Sequence, residues 1–506
     1  MAPPSRGRPA LCRVITVLLA AALAAAPPAA LAQIDQLPRL GDPLGDEFSP
    51  AAERRLGEQI MRQVRRDPAY LDDAELVDYL NAFAAPLMAT QAAGGYVFEF
   101  FAIRDASINA FALPGGFIGV HTGLLINAET ESELAAVLAH EIGHVTQRHI
   151  ARMLSQQKSA SMIALGALLL AVLAARSNPQ AAAGTVLLGE NIARQNLLSF
   201  SRDAEREADR VGFEMLRQAG FDTQAIVSFF MRLQQATRIY ESNAPAYLRT
   251  HPLTTERIGD MQDRQRDTRY RQRADSLDFR LLRARLRANV DETAEGRRTA
   301  RAIAEQMVRD NPKSGPAVWF ALAVAAFAQR DWARADAALA RAREVAGAPH
   351  PYFDRLAADI RLGAGDPPAA AEIARQGLAK FPDARALARV QGEALIAAQR
   401  PADAVRVLRD QLVTWRTDAR LWQLLATAHE AQKQRADAHR ATAERYVLLG
   451  SPMAAVDQLK RAQQAGDTDF YTASVIDARL RELEPEARRE LEELRQQSAP
   501  PPPPPR

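Results

Sequence analysis

The chain has 506 residues, of which 47% are hydrophobic and 25% are charged. This composition excludes a disordered or fibrous chain and is sufficient for two or more domains with separate cores. The formal net charge is +3, and three arginines within the first 32 residues account for all of it, so charge gives no support for a nucleic-acid partner.

Residues 1–32 have the pattern of a secretory signal peptide. Three arginines accompany an apolar run over residues 14–26, and Ala30-Leu31-Ala32 matches a small-residue cleavage site. The sequence therefore predicts an exported protein whose mature chain begins near Gln33. An uncleaved membrane anchor is the alternative, but the apolar run falls short of the ~20 residues that a transmembrane helix needs.

The single cysteine, Cys12, lies inside this predicted signal and before its apolar run, so it is not placed as a lipoprotein cysteine. A mature chain without thiols has neither disulfides nor a cysteine nucleophile. Any metal ligands must then come from histidine, aspartate and glutamate.

Composition divides the rest of the chain into three parts. Residues 33–270 mix helical patterns with one strand-rich stretch, which predicts an α+β domain. Residues 271–490 are rich in alanine and arginine and have helical patterns throughout, and residues 491–506 form a proline-rich tail. We therefore expect a mostly α protein with two folded domains.

An internal repeat runs through the helical part. Ala335, Ala370, Ala404 and Ala438 follow equivalent predicted turns at steps of 35, 34 and 34 residues. A period of about 34 residues made of paired helices is typical of tetratricopeptide repeats (TPRs), which stack into an α-solenoid. A generic alanine-rich bundle is the alternative, but a bundle requires no fixed period.

An amphipathic helix is predicted over residues 131–151, and it carries the sequence His-Glu-Ile-Gly-His. His140 and His144 are four residues apart, so their imidazoles share one face and can bind the same zinc ion. Glu141 lies off that line, where it can take a proton from a water that the ion activates. Gly143 costs the helix about 1 kcal/mol relative to alanine, which indicates that another group packs close to it.

A second helical stretch, residues 201–209, offers the third ligand. Glu205 and Asp209 are four residues apart, so Glu205 can bind the ion while Asp209 accepts a hydrogen bond from a ligand histidine. A solvated acidic helix face is the alternative. His149, which would continue the first helix away from the ligand face, is assigned a structural role.

Together the two motifs resemble those of the M48-type zinc metallopeptidases, the family that includes HtpX and the CAAX-prenyl proteases. The resemblance implies a gluzincin-like zinc peptidase domain with one Zn2+ per chain, and it assigns the third ligand to Glu205 rather than Glu207. It also implies a strand edge that pairs with extended substrate, formed by Asn109, Ala110, Phe111 and Ala112. A structural hairpin without a substrate role is the alternative.

His251 matches a histidine on a loop that covers the zinc in one subgroup of this family. The resemblance implies a removable fourth ligand or a catalytic role in stabilising an oxyanion, and a non-catalytic residue at the start of a helix is the alternative. The subgroup has a cleaved signal and C-terminal TPRs. Resemblance to it implies a periplasmic endopeptidase in the quality control and assembly of outer-membrane proteins, with misfolded or stalled outer-membrane proteins and their assembly machinery as partners.

Two other functions remain open, a TPR chaperone or scaffold with a largely latent protease site and a non-proteolytic zinc hydrolase. An intact set of ligands and Glu141 argues against a pure scaffold. Separately, the apolar segment 162–175 is short for a membrane span. It predicts a buried core helix, with a lid or a peripheral membrane contact as the alternative.

Overall fold

A computed structural model describes residues 49–90, 96–156, 201–239, 246–266, 268, 271 and 273–498. The predicted signal peptide, the apolar segment 162–175 and the prolines of the tail lie outside these residues. Among the helices of the described part, none combines the length and the hydropathy that crossing a membrane requires.

Residues 49–266, here called the N-terminal region, mix helices with a small sheet. In chain order the elements are α1 (Pro50–Val64), α2 (Ala74–Met88), β1 (Glu99–Ile103), β2 (Ala110–Leu113), β3 (Phe117–His121), α3 (Thr122–Asn127), α4 (Glu131–Thr146), α5 (His149–Gln156), α6 (Arg202–Ala219), α7 (Gln224–Ile239), α8 (Ala246–Thr250) and α9 (Thr255–Arg266).

The sheet has the strand order β1-β3-β2, with β1 parallel and β2 antiparallel to β3. Alternate residues of β1 reach opposite faces, so Phe100 packs in the main core while Phe101 packs in a second core against α1. The strand-rich stretch expected between residues 33 and 270 is present as β1, β2 and β3. Within the described residues β2 pairs only with β3, so its other side is a free edge.

Helices α4 and α6 cross at two glycines. A Cβ on Gly143 would lie 3.1 Å from the backbone oxygen of Ala208, and one on Gly212 would lie 3.1 Å from the backbone nitrogen of His140. The prediction that another group packs close to Gly143 is confirmed, and the group is the backbone of α6. Because glycine has no Cβ, the two helix backbones can approach this closely without displacing each other.

The helix predicted over residues 131–151 is interrupted. Its first part, α4, ends at Thr146, Arg148 has a left-handed φ of 55°, and α5 begins at His149. The continuous helix is therefore wrong, because the chain turns between the two segments. This turn returns His149 toward His144.

Residues 277–498, here called the repeat region, are helical pairs. The helices are α10 (Leu277–Ala288), α11 (Ala294–Asp310), α12 (Pro316–Ala328), α13 (Trp332–Ala346), α14 (Pro351–Gly363), α15 (Pro367–Lys380), α16 (Arg385–Ala397), α17 (Pro401–Thr414), α18 (Ala419–Ala431), α19 (Arg435–Leu448), α20 (Pro452–Gln464) and α21 (Phe470–Ser498).

The predicted period is present in this region. Four alanines that define it are buried where paired helices meet, namely Ala335, Ala370, Ala404 and Ala438. The turns inside successive pairs repeat a left-handed residue at Arg330, Gly365, Gln399, Lys433 and Gly466. Small side chains at one position and a left-handed turn at another are what allow two antiparallel helices to pack closely. A TPR-like α-solenoid following an α+β domain is therefore confirmed.

The last helix extends beyond residue 490, where the sequence predicts the start of the tail. Just before that point, the carboxylate of Glu490 accepts the backbone N–H of Met453 at 2.9 Å and pairs with Arg66 at 3.1 Å. These contacts hold α21 against α20 and against the segment that follows α1.

The repeat region packs against α2 of the N-terminal region, and the described residues belong to one compact unit. Helix α10 contributes apolar side chains to the same core as α2, with Phe279 stacked on Tyr79 at 6.5 Å. Around this contact, arginines of the repeat region meet acidic residues at the start of α2. The pairs are Arg285 with Asp73 at 2.7 Å, Arg385 with Asp78 at 2.7 Å and Arg389 with Asp72 at 2.8 Å.

Candidate metal centre

Four side chains converge between α4, α6 and the segment after α8. One nitrogen or carboxylate oxygen from each of His140, His144, Glu205 and His251 lies within 4.8 Å of the others, and all four residues are buried. The Nε2 atoms of His140 and His144 are 3.0 Å apart. The carboxylate of Glu205 is 3.4 Å from the first and 3.3 Å from the second.

Each helix is fixed at its start by a capping side chain. Thr130 accepts the backbone N–H of Glu133 at 3.2 Å before α4, and Ser201 accepts that of Ala204 at 3.2 Å before α6. Glu205 lies in the first turn of α6, where the helix dipole favours a negative charge. The glycine crossing then brings this carboxylate to the two histidines.

Asp209 and Arg257 lie behind these ligands. Nδ1 of His140 lies 2.9 Å from an oxygen of Asp209, so the carboxylate is within reach of a hydrogen on that nitrogen. Arg257 donates to both Asp209 oxygens at 2.6 and 2.8 Å, and its Nη1 is 2.7 Å from Glu205. One buried guanidinium therefore pairs with both carboxylates and offsets part of their negative charge.

These contacts determine the ionisation of the histidines and the glutamate in the cluster. Burial acts to lower the pKa of His140, but Asp209 and Glu205 outweigh it and raise the pKa to about 10. Burial holds the pKa of His144 well below its ordinary value. Burial acts to raise the pKa of Glu205, but His251, His140 and His144 bring it well below its usual range. The centre is thus a carboxylate surrounded by imidazoles.

Glu141 is fully buried beside the cluster, with one oxygen 3.4 Å from Nε2 of His251. Neither of its oxygens has a well-formed hydrogen bond among the described residues. Burial raises the pKa of this carboxyl, and the neighbouring His251 and the backbone N–H of Ala112 act in the opposite direction. Glu141 therefore lies between the ligand cluster and strand β2.

The predicted substrate edge is β2 with the residue before it. The backbone N–H of His121 donates to the carbonyl of Asn109 at 3.1 Å, so the alternation of an antiparallel ladder turns the backbone groups of Ala110 and Ala112 away from β3. Asn109 and Ala110 are buried, while Phe111 and Ala112 are half-buried. The ring of Phe111 lies over Gly119 on β3, where a Cβ would be 2.4 Å from it.

His251 reaches the cluster from a segment tied to this edge. Its Nδ1 is 3.0 Å from Glu205 and 3.3 Å from Nε2 of His140. Tyr247 stacks on its ring with centroids 4.6 Å apart, and the backbone N–H of Tyr247 donates to Ile108 at 3.2 Å. The histidine is held in place by aromatic stacking and by the chain that precedes β2.

His149 contacts a ligand, contrary to the purely structural role expected from the sequence. Because α4 ends before it, its ring returns beneath His144, and the two Nδ1 atoms are 2.8 Å apart. On its other side, Nε2 of His149 is 3.1 Å from Glu207, which also pairs with Arg152 at 3.1 Å. Glu207 lies outside the ligand cluster, as the choice of Glu205 over Glu207 requires.

The donor set fits a divalent metal. Imidazole nitrogens and one carboxylate are the ligands of catalytic metal sites, and each ligand histidine here has its second nitrogen occupied by another side chain. His140, His144 and Glu205 would hold the ion, and His251 could complete a fourth position. Binding would require His140 to be neutral and therefore to lose its proton.

Comparisons with known proteins agree with this geometry. Residues 71–265 match Peptidase family M48. The chain is 32% identical over 477 residues to the beta-barrel assembly-enhancing protease of Escherichia coli K12, an alignment that covers 93% of this chain and 96% of the relative. The chain belongs to peptidase family M48. Its match to the beta-barrel assembly-enhancing protease of Yersinia pestis is 30% identical over 89% of this chain and 92% of the relative.

Another relative matches a shorter part of the chain. The mitochondrial metalloendopeptidase OMA1 of Schizosaccharomyces pombe is 33% identical over 180 residues, which are 36% of this chain and 50% of the relative. The enzyme class expected from the sequence, a metallopeptidase with the His-Glu-x-x-His motif, is confirmed.

Sequence reasoning missed two residues of the M48 site, Arg257 and Tyr247. Both are fully buried, yet Arg257 lies in a segment whose composition is that of an exposed helix. The sequence does indicate that a cation is needed, because Glu205 and Asp209 place two negative charges on one buried helix face. The sequence does not say which of its many arginines supplies it.

Proposed function

We propose that this M48 metallopeptidase is an exported, zinc-dependent endopeptidase that acts on outer-membrane proteins in the periplasm and rests in a closed form. One observation carries the proposal. His140, His144 and Glu205 converge with Glu141 beside them, next to the side of β2 that pairs with no other strand in the described part of the chain. Zinc is the metal that two histidines and a glutamate typically hold in peptidases.

The roles follow from position. Zinc held by His140, His144 and Glu205 would acidify a water and polarise the scissile carbonyl. Glu141 carries the proton, because its buried carboxyl with a raised pKa can accept a proton from the attacking water and return it to the leaving amine. Asp209 holds the Nδ1–H of His140 and so keeps its Nε2 lone pair directed at the cluster.

Strand β2 supports a peptide as the substrate rather than another hydrolysable group. The backbone groups of Ala110 and Ala112 face away from β3 and can pair with an extended chain, as in strand addition. This side of β2 is adjacent to Glu141, so a paired peptide would pass the proton carrier. Non-proteolytic hydrolysis has no such support.

The position of His251 beside the three ligands supports a second function, that of a TPR scaffold with a largely latent protease site. A zinc ion with four protein ligands is the structural rather than the catalytic type, because no position remains for water. His251 lies within ligand distance of this set and is buried. We propose that the peptidase is active after His251 leaves, and that the scaffold role describes its resting form.

The client class and location rest on the signal-like N-terminus and on relatives. The proteins that match nine-tenths of this chain are named beta-barrel assembly-enhancing proteases. We extend that role to this chain, with stalled or misfolded outer-membrane proteins and their assembly machinery as partners, and the TPR-like region as the surface that recruits them.

The first experiment tests catalysis. Purified wild-type and Glu141→Gln proteins are compared for zinc content and for cleavage of casein. Both should bind one zinc per chain, and only the wild type should cleave, because an amide cannot accept the proton of water. Activity of the variant within a few-fold of wild type would contradict the role of Glu141.

The second experiment tests latency. His251→Ala should keep its zinc and cleave casein faster than wild type, because the coordination position becomes open. The matched control is His350→Ala, which removes a buried histidine distant from the cluster. A slower His251 variant with full zinc would assign this residue to transition-state stabilisation, and an unchanged rate would remove it from the mechanism.

A further inference from the structure

The two ligand histidines of α4 are supported differently. Behind His140 stands a carboxylate, Asp209, at 2.9 Å from Nδ1. Behind His144 stands a second imidazole, His149, whose Nδ1 is 2.8 Å from Nδ1 of His144. Glu207 then stands behind His149, 3.1 Å from its Nε2.

Proton positions in this chain of contacts are constrained. An ionised Glu207 only accepts hydrogen bonds, so Nε2 of His149 carries a hydrogen. A neutral His149 then presents a lone pair at Nδ1, and among the described residues the Nδ1–H of His144 is placed to donate to it. His144 is left with its lone pair at Nε2, the atom that faces His140 and Glu205.

The opposite assignment disables the ligand. A doubly protonated His149 would donate from Nδ1 to His144, which would then have to carry its hydrogen on Nε2, directed into the cluster. A nitrogen that bears a hydrogen cannot bind a metal. The contacts are therefore compatible with metal binding in only one arrangement of protons.

We propose that His149 is a positioning residue for the metal centre, and that with Glu207 behind it His149 fixes the tautomer and ring orientation of His144. The turn at Arg148 is what makes this contact, because it ends α4 two residues after His144 and returns the chain. Arg152 completes the support, since it donates to the carbonyl of Gln147 at 2.8 Å and pairs with Glu207 at 3.1 Å.

This inference rests on the proposed zinc function and assigns residues that the metal cluster itself does not contain. It also separates Glu207 from Glu205 by role. Glu205 binds the ion directly, whereas Glu207 acts on it through two imidazoles. Loss of Glu207 should therefore weaken zinc binding without abolishing it.

The test measures zinc affinity of the full chain by competition with a chelator. His149→Leu should weaken zinc binding by about 10–100-fold, the range seen when the partner of a ligand histidine is removed. Glu207→Ala should have a smaller effect. His149→Gln should recover part of the loss, because its amide oxygen can accept the Nδ1–H of His144. The visible spectrum of cobalt-substituted protein should change in His149→Leu and return toward wild type in His149→Gln.

The control is His429→Leu, which removes a buried histidine of the repeat region that hydrogen-bonds Gln434 at 2.6 Å. It should lower thermal stability while leaving zinc affinity and the cobalt spectrum unchanged. Zinc affinity of His149→Leu within two-fold of wild type would overturn the proposal, as would an equal loss in His429→Leu. If the wild-type chain bound no zinc, the proposed function itself would fail. If the wild type bound zinc and His149→Leu bound it equally well, only the role of His149 would fail.

Discussion

The contacts that stabilise the N-terminal region join residues far apart in sequence, whereas those that stabilise the repeat region join residues close in sequence. In the repeat region each helix packs on its neighbours in sequence, and a buried alanine returns in four successive pairs and a left-handed turn in five. In the N-terminal region, the metal centre joins His140, Glu205, His251 and Arg257, which are separated by as many as 117 residues, through buried charges. Local repetition therefore determines one region, and long-range electrostatic complementarity determines the other.

The first prediction tests where the two regions divide, and its effect is the largest. The boundary near residue 270 stays a prediction, but α10 follows it and contributes Phe279 and Leu282 to the core that contains Tyr79 and Phe83. Each such buried side chain contributes about 1.5–3 kcal/mol. A chain of residues 33–270 should therefore lose cooperative thermal unfolding, while residues 33–290 should retain it. Equal melting of the two chains by circular dichroism would show that α10 belongs with the repeats alone.

The second prediction removes an ion pair between the repeat region and the N-terminal region. Arg285 is almost buried between Asp73 and Glu75. Arg285→Ala therefore removes the ion-pair partner of Asp73 and leaves Glu75 with Arg355, 3.6 Å away. We expect a loss of about 3–5 kcal/mol in the free energy of unfolding at neutral pH. The exposed Arg280 on the same helix is the control, and Arg280→Ala should change stability by less than about 0.5 kcal/mol.

The pH dependence of that loss has a definite sign. Burial acts to raise the pKa of Asp73, but Arg285 outweighs it, and the pKa falls from 3.8 to about 2. A lowered carboxyl pKa stabilises the folded state above the unfolded value and ceases to do so as the pH falls through the folded value. The difference in the free energy of unfolding between wild type and Arg285→Ala should therefore be largest above about pH 4 and shrink toward pH 2. A difference that grows on acidification would contradict this account.

Much of both regions could be predicted from local patterns. The choice of Glu205 over Glu207 rests on the family resemblance. The TPR-like period, the strand-rich stretch and the shared helix face of His140 and His144 follow from spacing within a repeat, a strand or a helix. Spacing fixes the direction of a side chain, and direction is sufficient for these features.

The remainder depends on where separate segments meet. The turn at Arg148 has no glycine or proline to mark it, so His149 was assigned to the wrong face. The burial of Arg257 and Tyr247 follows from the packing of α8 and α9 against α6 and α7, where Tyr247 contacts Phe229 and Arg257 lies over Phe230. The arginines that meet α2 resemble the many others of the repeat region until the two regions are brought together.

The third prediction disturbs the helix crossing at the metal centre. Gly212→Ala places a methyl group 3.1 Å from the backbone of α4, so α6 must move by a few tenths of an ångström and carry Glu205 with it. We expect a loss of about 1–3 kcal/mol in stability and a measurable weakening of zinc affinity. Gly259 on α9 is the control, because a Cβ there meets nothing within 4 Å. Gly259→Ala should stabilise the helix by up to about 1 kcal/mol and leave zinc affinity unchanged.

The last prediction concerns the repeats and has the smallest effect. Arg330, Gln399 and Lys433 adopt φ values of 60°, 57° and 61°, while the equivalent turn in the second pair has Gly365 at 84°. A side chain in this left-handed conformation costs about 1 kcal/mol that glycine does not bear, but glycine also gives the unfolded chain more freedom. Lys433→Gly should therefore stabilise the repeat region by only about 0.5 kcal/mol, measured by urea unfolding. Gly365→Ala should have the opposite sign, because nothing lies within 4 Å of its Cβ position and only the backbone resists the change. If both substitutions destabilised, the turns would be fixed by contacts of their side chains rather than by backbone conformation, and the repeat region would depend less on local geometry than its period indicates.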